Sequence, residues 1–157
     1  MKPECTGEIP LGALFSITTR GQFIFLNDRL WPFHLSAGQF PVLLLLAKEQ
    51  NITQETLVKH YRLDKGTIAR AVKKLEDAGY IRRIVDPENR RAVRIFLTDR
   101  GEEIIPVLKG IDREWEDRVC AGLDPKDRRS LNALVRAVAQ NSREIMRDAA
   151  GCGDAAE

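Results

Sequence analysis

Cysteine, histidine and long apolar runs are all scarce in this chain of 157 residues. The three cysteines, Cys5, Cys120 and Cys152, are odd in number and widely separated, with no CxxC or Cys…His spacing. That excludes a disulfide framework and a zinc finger, and no metal site is expected. The two histidines, His34 and His60, stand far apart. No Gly-rich phosphate loop, metal-ligand set or Ser/Cys–His arrangement accompanies them, so no catalytic residue and no cofactor are expected. The longest uninterrupted apolar run, Val42–Ala47, has six residues, against about 20 for a membrane span. The first ten residues, MKPECTGEIP, lack the apolar centre of a signal peptide, which makes the cytoplasm the expected location.

What is present is the composition of an ordinary globular domain, 43% hydrophobic and 31% charged. The net charge of +2 hides an asymmetry. Residues 1–58 hold 4 basic and 5 acidic side chains, residues 59–100 hold 12 and 6, and residues 101–157 hold 9 and 12. The balances are −1, +6 and −3. A basic segment inside a mildly acidic chain is the footprint of a polyanion binder. A merely solvated face gives the same count, so geometry must decide.

The pattern predicts a mostly helical chain. Pro10 fits the first turn of a helix that carries Leu11, Leu14, Phe15, Thr18, Phe25, Leu26 and Leu30 at rough helical spacing, with Gly21 marking a close crossing or a bend. Three helix starts share one grammar of a polar cap between two apolar staples. Ser36 with Gln39 opens a helix over 36–50, Thr53 opens one over 53–60, and Asp64 opens one over 64–78. Their staple pairs are Leu35 with Phe40, Ile52 with Leu57, and Leu63 with Ile68. Pro41 fits an interior poorly, so the first of these helices is expected to start late or bend. Gly79 suits a left-handed cap. Tyr80–Val85 and Ala92–Leu97 read as two strands joined by the turn residues Asp86, Pro87, Glu88 and Asn89. Thr98 opens a long helix to about Cys120 with the stripe Ile104, Leu108, Ile111, Trp115 and Val119. Asp124 and Pro125 open a last one, with Leu131, Leu134, Val135, Val138, Ile145 and Met146 on one side. The small-residue tail Ala149–Glu157 is expected to fray.

A short helix, a turn, a second helix and a β-hairpin make a winged helix-turn-helix. In the second helix Ile68, Val72 and Leu75 must face inward. The opposite face then presents Gly66, Ala69, Arg70, Lys73 and Asp77, flanked by Lys65, Thr67 and Lys74. Small residues followed by cations suit a major groove about 12 Å wide. Lys65, Thr67 and Arg70 are candidates for base edges, and Lys73 and Lys74 for phosphate. The hairpin adds Arg82, Arg83, Arg90, Arg91 and Arg94. An arginine at its tip can enter the narrow minor groove, where the potential is most negative.

The run DKGTIARAVKKLEDAGYIRRIVDPENRRAVRIFLTDRGEEI resembles the signature of the MarR (multiple antibiotic resistance regulator) family. The resemblance covers about residues 10–148 and is most specific over 64–102. There the recognition helix ends in LE-x-x-G, the wing begins with Asp and carries an arginine doublet, and LT-x-x-G follows. It implies an α+β fold, mostly helical with a small β-hairpin wing, and long terminal dimerisation helices. Residues 1–34 would hold the first dimerisation helix, 35–100 the winged lobe and 101–157 the closing dimerisation helices. It also implies a homodimer, a repressor that grips a palindromic operator on double-stranded DNA. Leu11, Leu14, Phe15, Leu131, Leu134, Val135, Val138 and Ile145 are the corresponding dimer stripes.

By the family pattern Arg91 is the better candidate for minor-groove insertion and Arg90 the second. Asn89 stands where the family usually has an acid that braces the tip arginine. Family members often release DNA on binding a small phenolic or aromatic acid, for which Arg20, Trp31 and His34 are candidates here. Trp31 as core packing and Arg20 as a surface cation is the plainer reading. A redox variant of the family uses a cysteine near the N-terminus, to which Cys5 is the nearest match. The competing readings are a winged-helix module that binds a protein partner or DNA without sequence preference, and a cysteine-based redox regulator.

Overall fold

A computed structural model of the chain describes residues 9–151. Cys5, Cys152 and the tail from residue 152 onward lie outside the described residues. The backbone divides into two units, one reaching Trp115 and one beginning at Glu116.

The first unit opens with α1, Leu11–Leu30. Pro10 sits one position earlier than expected, as the extended residue that precedes the first turn. The helix runs unbroken through Gly21, and a β-carbon there would lie 3.6 Å from the Trp115 ring. Gly21 therefore marks a close crossing of α1 with the Trp115 turn. Phe25 joins this contact, its ring 5.6 Å from that of Trp115. Arg29 clamps the same crossing through both oxygens of Glu114, at 3.0 and 2.7 Å.

A single 3-10 turn, Trp31–Phe33, leads to α2, Phe40–Lys48. This helix does begin late, with Pro41 in its first turn, where no backbone N–H bond is lost. Only half of the Ser36–Gln39 box forms, one turn upstream: the Gln39 side chain accepts from the Ser36 amide at 2.7 Å, but the Ser36 hydroxyl donates to the same Gln39 oxygen at 2.9 Å and the Gln39 amide bonds the Ser36 carbonyl instead. Leu35 and Phe40, its staple, are both buried.

A two-residue strand, β1 (Ile52–Thr53), precedes α3, Gln54–Tyr61, and α4, Lys65–Asp77. The strands β2 (Ile81–Val85) and β3 (Val93–Leu97) form the hairpin. The sheet is antiparallel in the order β1-β3-β2, with Ile81 opposite Leu97, Arg83 opposite Ile95 and Ile52 opposite Ile95 on the other side. The third strand was not expected. Two residues are too few to show an alternating pattern.

Gly79 takes a left-handed φ of 77° and ends α4, as its position suggests. Thr98 then joins wing to helix, donating to the Gly79 carbonyl at 2.6 Å and accepting from the Gly101 amide at 3.1 Å. A β-carbon at Gly101 would lie 2.0 Å from the Tyr80 carbonyl oxygen, so only glycine fits there. The helix that follows is α5, Asp99–Val119.

Leu30, Leu43, Leu46, Leu57, Ile68, Leu75, Ile95 and Leu108 are fully buried and draw α1 to α5 and the sheet into one core. Each contributes about 1.5–3 kcal/mol of apolar burial. Two expectations fail here. Leu63 is 44% exposed, so the third staple does not close, and Val119 is 48% exposed, so the buried stripe of α5 ends at Ile111, with Trp115 half-buried beyond it.

The second unit contains α6, Pro125–Gly151. Asp124 caps it by accepting from the Asp127 amide at 2.8 Å. The helix continues through Ala149 to Gly151, past the point where fraying was expected. No helix among the described residues is long and apolar enough to cross a membrane.

Candidate nucleic-acid interface

The interface rests on α3 and α4. The Thr53 hydroxyl accepts from the Thr56 amide at 3.1 Å and starts α3. Arg62, with φ 52°, turns the chain out of it. The Tyr61 phenol donates to the Pro41 carbonyl at 2.7 Å and ties α3 to α2, and burial pushes its pKa up to about 12. Asp64 caps α4 by accepting from the Thr67 amide at 2.8 Å. The Thr67 hydroxyl donates to the second Asp64 oxygen at 2.5 Å, and these bonds hold the Asp64 carboxyl below the usual range.

Ile68, Val72 and Leu75 are buried, as their spacing requires. Lys65, Gly66, Ala69, Arg70, Lys73, Lys74 and Asp77 are exposed, and Thr67 is half-buried. Two of these cations are already engaged. Lys73 pairs with Asp77 at 3.0 Å, an i,i+4 bridge between exposed groups. Arg70 donates to the Thr67 hydroxyl at 3.0 Å.

The wing sorts its arginines more sharply. Arg94 places two nitrogens 2.7 Å from one oxygen of the buried Asp86, and a third donates to the Asn51 side chain at 3.3 Å. Arg94, expected as a DNA contact, is engaged here as a brace that fastens the wing to the segment before β1. The other Asp86 oxygen accepts from the Glu88 amide at 3.0 Å. That bond first, and Arg94 second, hold the Asp86 carboxyl below its usual range. Arg83 bonds Glu76 of α4, its Nε donating at 2.9 Å, which lowers the Glu76 pKa and raises that of Arg83. Arg82 lies over the Phe96 ring, 5.4 Å from its centre.

Arg90 and Arg91 are exposed at the tip, and neither guanidinium has a carboxylate partner among the described residues. The Asn89 side chain accepts from the Arg91 backbone amide at 3.2 Å. It therefore shapes the tip through the backbone and leaves the Arg91 side chain unbraced.

The suggested effector residues do not converge. Trp31 and His34 line a cleft of about 710 Å³ with Asn27, Leu35, Ser36, Gln39, Lys74, Asp77 and Ala78. Trp31 is 79% exposed, which removes the core-packing reading. Arg20 lies 11 residues before Trp31 on α1, about 16 Å away along the helix axis, beside Phe15, Ser16, Thr19 and Phe23. The cation that does reach the cleft is Lys74 of α4. Nothing local in the sequence signals this, because the cleft joins segments some 40 residues apart. Cys120 is buried beyond the end of α5. The described residues contain no cluster of three potential metal ligands.

The MarR family model matches residues 35–93, which span α2, the helix-turn-helix and the wing up to β3. The HTH-type transcriptional regulator SarZ of Staphylococcus haemolyticus is 32% identical over 107 residues, covering 68% of this chain and 72% of that protein. A MarR transcriptional regulator from Methanosarcina mazei superposes with a TM-score of 0.83 at 35% identity, covering 86% of this chain and 97% of the other. A mutant MarR of Escherichia coli, crystallised in complex with operator DNA, superposes with a TM-score of 0.74 at 27% identity over 83% of this chain and 94% of its own.

Proposed function

This chain belongs to the MarR family of winged-helix transcriptional regulators, and from that premise we propose that it acts as a homodimeric repressor on a two-fold-symmetric operator. The observation that carries the reading is the shared sign of two exposed elements. The outer face of α4 presents Lys65, Arg70 and Lys74, and the wing tip presents Arg90 and Arg91. In this reading Arg70 reads base edges, Lys65, Lys73 and Lys74 meet phosphate, and Arg91 with Arg90 enters the adjacent minor groove. Arg82 flanks the wing's contact with the backbone.

The apolar residues left uncovered on the long helices support the dimer. Leu11 is 61% exposed, Leu134 66% and Ile145 69%, and Leu14, Leu131 and Val135 are exposed as well. Phe15 and Val138 are half-buried beside them. Such stripes are costly in water and are suited to a second copy. Two-fold symmetry then sets two recognition helices about one DNA turn apart. A small aromatic acid is the proposed effector, stacking on Trp31 and pairing with Lys74. It acts only if it binds one spacing of the recognition helices better than the other. Lys74 gives it a hold on α4 itself.

In vitro selection of bound duplexes with the full chain tests the reading, repeated with a panel of aromatic acids. The expected result is one inverted-repeat sequence that survives competitor DNA by roughly 10³ or more in affinity. Equal binding to all duplexes would leave a non-specific module, and no binding at low salt a protein-interaction module.

A further inference from the structure

The recognition helix begins with a chain of bonds whose geometry points to a role other than capping. Asp64 accepts twice from Thr67, from its amide at 2.8 Å and from its hydroxyl at 2.5 Å. The same hydroxyl oxygen accepts from Arg70 Nη2 at 3.0 Å. A threonine hydroxyl has one proton and two lone pairs. Its proton is committed to Asp64, so the oxygen can only accept from what approaches next, and the guanidinium does so. Arg70 therefore folds back toward the start of the helix. Its route crosses Gly66, where a β-carbon would lie 3.4 Å from Arg70 Nη1 and 3.1 Å from Asp64 Oδ1. The space that glycine leaves open is filled by this arginine.

We propose that Thr67, held by Asp64, is a positioning residue that aims Arg70 at one base pair of each half-site, with Gly66 leaving room for the arm. Thr67 itself reads no base. The proposal rests on Arg70 being a base-reading residue, as in the proposed function. Of its five N–H donors one is engaged by Thr67, and the others remain for a two-point contact with a base edge. Ordering the arm before binding reduces the rotamer entropy lost on contact.

The test uses the full chain, the duplex recovered by selection, and its single-base variants. T67V removes the hydroxyl at nearly constant shape, while the backbone cap to Asp64 remains. It is expected to lower discrimination at one base pair per half-site about five- to tenfold, a part of what a complete two-point contact supplies. The salt dependence stays unchanged, since no phosphate contact is lost. T67S restores discrimination to within about twofold of the parent. D64N keeps a good cap but offers an amide donor to the Thr67 oxygen, and it is expected to lower discrimination at the same pair. In R70A, the further change T67V has no effect at that pair. Helix content by circular dichroism separates these results from unfolding.

The proposal is overturned if T67V, folded, keeps the parent's base preference. It is equally overturned if T67V weakens all duplexes alike with a shallower salt slope, which makes Thr67 a phosphate contact. A parent protein with no base preference would remove the proposed function as well, whereas a selective parent matched by T67V removes only this inference.

Discussion

The recognition helix and the wing carry similar positive charge but dispose of it differently. α4 holds four cations, Lys65, Arg70, Lys73 and Lys74, of which Lys73 alone bonds a carboxylate among the described residues. The hairpin holds five arginines, and two of them, Arg83 and Arg94, are bonded to Glu76 and Asp86. The difference follows from local rigidity. A capped helix with a buried Ile68–Val72–Leu75 stripe holds its shape through backbone bonds and packing. A two-stranded hairpin is marginal alone, and this one is fastened by ion pairs at its root and its far end. A count of basic residues therefore overstates the unpaired charge of the wing more than that of the helix.

Substitutions can break or sharpen this contrast. The largest expected effect is R70A, a loss of about 1–3 kcal/mol in operator affinity with relaxed preference at one base pair. Competition binding against single-base variants of the selected duplex checks it. Next is the tip. R91A is expected to weaken the operator and non-operator duplexes together and to make the log–log salt slope shallower by about 1, with R90A following more weakly. Titrations at four or five salt concentrations read both.

Arg94 separates the two regions most clearly. R94M is expected to lower affinity while leaving the salt slope unchanged, because it releases the wing without removing a phosphate contact. It also has a pH signature. The Asp86 carboxyl is held low when folded, so the folded chain binds its proton less readily than the unfolded chain does. That linkage stabilises the fold above about pH 4. It is lost as pH falls through the lowered value. R94M weakens one of its two main causes, so the acid limb of stability against pH should flatten, as measured by urea unfolding from pH 7 downward. The smallest effect belongs to the bridged lysine. K73A should weaken all sequences slightly, by less than R91A, because Asp77 already offsets its charge.

Much of this architecture is legible along the chain because its signals are local. The caps Thr53, Asp64, Thr98 and Asp124 each bond an amide three residues ahead. The buried face of α4 follows from 3.6-residue periodicity alone. Features made by contacts distant in sequence were not legible. Nothing near Arg94 announces that its charge is taken by Asp86 and Asn51, 8 and 43 residues away. Arg20 lies on α1 and Trp31 in the turn that follows it, and only their axial separation shows that one cleft does not hold both. The Arg70–Thr67 contact is local, three residues apart, yet it depends on which way a hydroxyl proton points. Residue identity does not specify that.

The proposed function requires two copies to present these cations together. Sedimentation equilibrium of the 17.8 kDa chain, alone and with the selected duplex, tests it most directly. The account predicts the mass of two chains alone and, with the duplex, the mass of two chains plus one duplex. A single chain in solution that binds the duplex one to one would contradict it.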